Sequence, residues 1–145
     1  LYVDKRNARR PVEMFSEAGK VGPAYCTGVG KAMLAFLPET EREDAIAQQA
    51  FFAHTPATLT TPDALGRELE AIRAAGVAFD REEHEPGIIC IAQPILSSGG
   101  RVMGALSITA TTRTHSLGGL ETHGAALKRT ARHIADAAET WQFPD

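Results

Sequence analysis

The chain has 145 residues, 43% of them hydrophobic and 23% charged, with a formal net charge of −3. That length fits one domain and leaves no room for a second, while the composition is that of a soluble folded protein. No apolar run approaches the roughly 20 residues of a membrane-spanning helix, and the slight acidic excess argues against this segment gripping nucleic acid by itself.

The opening "LYVDKRNARR" carries no signal-peptide pattern, which predicts a cytoplasmic piece of a longer chain. Cys26 and Cys90 are too few for a disulfide framework and form no C-x-x-C pair, so reduced thiols are expected. "LYVDK" and "PVEMF" read as short strands around a basic, solvated turn and predict an opening hairpin. After the breakers Gly19, Gly22 and Pro23, "AYCTGVGKAMLAFLP" takes helical spacing, with Ala32, Met33, Leu34, Phe36 and Leu37 buried and an end at Pro38.

"ETEREDAIAQQA" predicts a second short helix, its acids placed where the helix dipole favours them. In "TTPDALGRELEAIRAAG" Thr61 caps, Pro62 opens the first turn, Gly76 terminates, and Leu65, Leu69 and Ile72 form the buried stripe. "VAFDREE", "GIICIAQPIL" and "RVMGALSITAT" are strand candidates, the last two joined by the hairpin turn "SSGG". The closing "LGGLETHGAALKRTARHIADAAETW" predicts one amphipathic helix with Leu120, Leu127, Ala131, Ile134, Ala138 and Trp141 inward. The order β, β, α, α, α, β, β, β, α is that of one α/β (α+β) domain, residues 1–145, with a mainly antiparallel sheet flanked by helices.

"GVGK" is no phosphate loop, because Tyr25 and Ala32 stand where that motif needs glycine and Ser or Thr. Thr27, Gly28, Val29 and Gly30 instead lie where a loop enters a helix. That start can either bind a carboxylate on free N–H groups or simply be tight. Among the acids Asp80, Glu82, Glu83 and Glu85, strand alternation separates Asp80 and Glu82 from Glu83, so no cation site is expected. Most of them read as a solvated strand end, with Asp80 the candidate for an inward role. Cys90 sits among Ile88, Ile89 and Ile91, surroundings that raise a thiol pKa and disfavour a nucleophile. A zinc site lacks every close-spaced ligand pair, so neither metal nor cofactor is expected. Cys90, Ser107 and Thr109 can share one sheet face, closed at one end by the helix start, as a small polar-lined pocket in an apolar sheet.

These motifs, "AYCTGVGKAMLAFLP", "LTTPDALGRELEAIRAAGVAFDREEHEPGIICIAQPI" and "GRVMGALSIT", resemble along nearly the whole chain the effector-binding domain of the IclR family of bacterial transcriptional regulators. The resemblance implies a GAF-like fold, no enzymatic activity, and a small-molecule effector such as an organic or aromatic acid. It also implies assembly as a homodimer or homotetramer, with DNA bound only through an N-terminal winged helix-turn-helix absent from this chain. Its ligand contacts fall on Thr27, Gly28, Val29, Gly30, Asp80, Cys90, Ser107 and Thr109, with Met14 as an apolar wall. Two rival readings are a cysteine-dependent enzyme using Cys90 and a ligand-free protein-interaction module.

Overall fold

A computed structural model describes residues 1–9, 11 and 13–140. A 3-10 turn at Ala24–Cys26 leads into α1 (Gly28–Ala35), followed by α2 (Glu39–Ala47) and α3 (Pro62–Ala75). Next come β1 (Ala78–Arg81), β2 (Ile88–Leu96) and β3 (Val102–Thr111), then α4 (Leu117–Glu121) and α5 (Gly124–Thr140). The strands form one antiparallel sheet in the order β1-β2-β3, so the fold is α+β.

The sheet separates two apolar layers. Ala78 and Ala92 face α1 and α3, where they pack with Ala32, Leu34, Leu65, Leu69 and Ile72. On the other face Ile89 and Ile91 meet Leu120 and Leu127 of α4 and α5. Small residues on the first face let α1 approach the strands closely, whereas branched residues on the second fill the layer beneath α4 and α5.

α3 follows its local signals. Thr61 Oγ1 accepts the Ala64 N–H at 3.2 Å, and Gly76 closes the helix at φ 72°, a conformation glycine adopts without steric penalty. The 97–100 turn closes through the Ser97 N–H to Arg101 O bond at 2.9 Å, as expected for the hairpin joining β2 and β3.

Several expectations fail. No opening hairpin forms among the described residues, of which Arg10 and Val12 are not part. Tyr2 instead donates to Lys20 O (2.9 Å) and accepts from the Gly19 N–H (2.8 Å), drawing the first segment back along 19–20. Two five-residue runs with proline opening the second hold too little ladder to outcompete that contact. α1 ends at Ala35, and Met33 is exposed, because Leu34 and Ala35 take the inward face. The closing helix is broken at Thr122, and within α5 Ala135 rather than Ile134 or Ala138 is buried. Leu120, Leu127 and Ala131 are inward as expected, and beyond Ala131 a four-residue rather than a three-residue step continues the stripe to Ala135. Trp141 lies outside the described residues.

Candidate effector pocket

Sheet register assembles the centre of the site. Cys90 lies directly opposite Asp80 on one side and Thr109 on the other, while Ala92 lies opposite Ser107. Paired residues share a face, so Asp80, Cys90, Thr109 and Ser107 all point to the α1 side. They line a cleft of about 400 Å³, including its open mouth, with Thr27, Gly28, Val29 and Met14. Gly30 does not line it. Its backbone packs on Ala24, where a Cβ would fall 2.5 Å from the Ala24 Cα, and its N–H goes to Thr27 Oγ1 at 3.3 Å.

Sequence reasoning missed five further wall residues, Tyr2, Ser16, His84, Glu85 and Ile88. Tyr2 could not be found because its segment was read as a strand. His84 is wedged edge-on between Phe15 (5.0 Å) and His54 (4.9 Å). Burial holds its pKa below the usual value, against the opposing pull of Glu85.

Most N–H groups at the start of α1 are already engaged. Gly28 and Asp80 direct theirs at the Cys90 sulfur, Gly30 caps onto Thr27, and Lys31 donates to Thr27 O at 2.9 Å. Val29 keeps the one N–H of this first turn without a partner among the described residues. The glycine at 28 is a packing requirement, since a Cβ there would collide with Cys90 Sγ.

Cys90 is therefore a wall and not a nucleophile. Burial pushes its thiol up to about 12, reinforced by the Asp80 carboxyl, and the two N–H groups offset this only in part. Cys26, fully buried below the cleft, is likewise pushed up to about 12 by burial, with Asp80 and Glu83 adding to it.

The acidic stretch behaves differently from a solvated strand end. β1 stops at Arg81, and Glu82 takes the left-handed region at φ 60°, which folds Glu83 back into the interior. Thr55 Oγ1 donates to Glu82 O and Thr58 Oγ1 to Glu83 O, each at 2.6 Å, and these bonds pin the turn. Lys31, 0% exposed, places Nζ 2.5 Å from Glu83 Oε1 and 2.9 Å from Glu68 Oε1; Arg81 reaches the same Glu68 oxygen at 2.9 Å. The Glu83 N–H donates to Asp80 Oδ1 at 2.8 Å, which fixes the carboxyl at the cleft. Burial pushes Asp80 up to about 7 and Glu83 above its usual range. Glu68, despite its partial burial, is held below its usual value by Lys31 and Arg81. The lysine of "GVGK", set aside once the phosphate-loop reading failed, was the available signal for this network.

Among the described residues no group of three or more His, Cys, Asp or Glu side chains is placed to hold a metal, and no helix is long and apolar enough to cross a membrane. Residues 1–136 match the family model described as bacterial transcriptional regulator IclR C-terminal. The chain is 31% identical over 137 residues to the HTH-type transcriptional repressor AllR of Klebsiella pneumoniae, covering 94% of this chain and 50% of that protein. The crystal structure of the Thermotoga maritima IclR superposes with a TM-score of 0.86 at 35% identity, covering 92% of this chain and 54% of that one. The inducer-binding domain of a double mutant of PobR from Acinetobacter, solved with 3-hydroxybenzoic acid, gives 0.79 at 27% identity, covering 88% and 74%. The chain thus spans about half the length of the curated relatives it matches. Those relatives are regulators and not enzymes, and the chain belongs to the IclR family of bacterial transcriptional regulators, of which it carries the C-terminal domain.

Proposed function

We propose that the cleft between α1 and the sheet is an effector site for a small organic or aromatic acid. Its occupancy would adjust operator binding by a longer, homodimeric or homotetrameric regulator in the cytoplasm. The observation that carries this reading is the convergence of Asp80, Cys90, Ser107 and Thr109 on the start of α1 in one partly apolar cleft. The wall holds no lysine or arginine among the described residues, so a carboxylate would rest on neutral donors. These are the Val29 N–H at the positive end of α1 and the hydroxyls of Thr109 and Ser107. The acid complexed with the PobR domain is of the proposed class.

A thermal-shift screen of aliphatic and aromatic acids, followed by calorimetry, tests it. One acid should bind with one site per chain. Ser107→Phe, a substitution at an exposed wall residue, should weaken that binding at least tenfold without lowering the melting temperature. Unchanged affinity in that variant would place the site elsewhere.

A further inference from the structure

The carboxyl that faces the cleft belongs to a larger charge cluster than the pocket alone. Asp80, Glu83 and Glu68 supply three carboxyls, while Lys31 and Arg81 supply two cations, and Lys31 is shared between Glu83 and Glu68. Glu83 Oε2 is buried without a hydrogen-bond partner among the described residues. Glu83 and Glu68 take both cations in ion pairs, whereas Asp80, itself buried, has none among the described residues; a buried charge left without a counterion is costly, and a bound proton is the cheapest way to remove it. We propose that the cluster is completed by one proton held on Asp80, so that an acid anion enters the adjoining cleft together with a proton taken from solvent, and that Lys31 and Glu83 are positioning residues for this exchange.

The inference rests on the effector reading of the cleft and deepens it. Asp80 faces Glu83 and Glu85 from its own hairpin, Lys31 from α1, and Cys90 from β2. The Cys26 thiol and the Tyr2 phenol also face it. His84 stands on the same wall. Lys31 is the one cation in that set and is already engaged twice, so an incoming carboxylate would meet an ionised Asp80 with nothing to offset the repulsion. A neutral Asp80 removes it and presents an O–H to the ligand. Burial, which raises this carboxyl into the neutral range, acts in the same direction.

The test has two arms on the 145-residue chain. In the first, 13C NMR follows the aspartate carboxyls from pH 4 to 9 with no ligand. Asp80 should titrate near neutrality, moving lower in Glu83→Gln, which keeps the shape of the pair, and higher in Lys31→Met. A shift of Asp80 in neither variant overturns the positioning roles. In the second, acetate, lactate, benzoate and 3-hydroxybenzoate are titrated calorimetrically at pH 6 and 8 in buffers of different ionisation enthalpy. A binding anion should take up close to one proton at pH 8, and its affinity should fall toward tenfold per pH unit above the Asp80 transition. Asp80→Asn should abolish that slope. Binding of an anion with no proton uptake overturns the linkage while the effector reading stands. Absence of binding by any of the four at both pH values overturns the linkage together with the acid-effector reading.

Discussion

Replacing Lys31 with Met would remove the only buried lysine or arginine among the described residues and leave Glu83 with the Arg81 N–H at 3.3 Å as its remaining partner. Glu68 keeps Arg81 and some solvent, so the loss concentrates on Glu83, whose side chain is 4% exposed. Breaking a buried pair from one side costs about 3–5 kcal/mol. The carboxyl can limit that cost by taking a proton. From an ordinary value of 4.5, protonation costs about 3 kcal/mol at pH 7 and about 0.7 kcal/mol at pH 5. Burial already holds Glu83 above its usual range in the parent, and a carboxyl raised on folding stabilises the native state at low pH and loses that contribution as pH rises through its folded value. Part of the pH difference is therefore shared by parent and variant, and the variant should lose about 3 kcal/mol at pH 7 and about 1–2 kcal/mol less at pH 5. Urea denaturation followed by far-UV circular dichroism at the two pH values measures both quantities. Glu83→Gln in the Lys31→Met background should restore much of the loss and flatten its pH dependence. A loss under about 1 kcal/mol at pH 7, or an equal loss at both pH values, would refute the assignment of Glu83 as the orphaned charge.

Gly28→Ala should destabilise the chain by about 1–3 kcal/mol through collision with Cys90 Sγ, and Cys90→Ala should recover part of it in a double-mutant cycle. Neither Cys26 nor Cys90 should react with iodoacetamide at pH 8 in the native state, whereas both should react in urea; native labelling read by mass spectrometry would contradict their burial and raised pKa. Thr61→Ala should cost about 1 kcal/mol and lower the melting temperature by about 2–5 °C, because it removes only the cap bond to the Ala64 N–H.

What was legible in the sequence follows from the range of the forces involved. The caps, stripe and terminator of α3 act within a few residues of one another, and the "SSGG" turn needs nothing beyond its flanking strands. Alternation along β2 and β3 was enough to put Cys90, Ser107 and Thr109 on one face. The Lys31–Glu83 pair was not readable, because it joins residues 52 apart and depends on one left-handed residue, Glu82, that reverses the alternation. The position of Tyr2 depends on backbone contacts with Gly19 and Lys20, which no periodicity encodes. The stripe of α5 was legible through Leu127 and Ala131, but Ile134 and Ala135 are both apolar, so spacing alone did not decide between a three- and a four-residue step, and it is Ala135 that packs.

The row Asp80–Cys90–Thr109 has a consequence for how such a sensor can change its specificity. Asp80, Cys90, Ser107 and Thr109 look toward the cleft, with Ala78 and Ala92 of the same face packed under α1 and α3, while the alternate positions Phe79, Ile89, Ile91 and Ile108 are locked into the layer against α4 and α5. The strands thus carry two interleaved alphabets, one spelling the ligand and the other the fold. Point substitutions at 107 or 109 can rewrite the first without editing the second, whereas Cys90, packed on Gly28, belongs to both, and a single inserted residue in β2 would exchange the two and lose both at once.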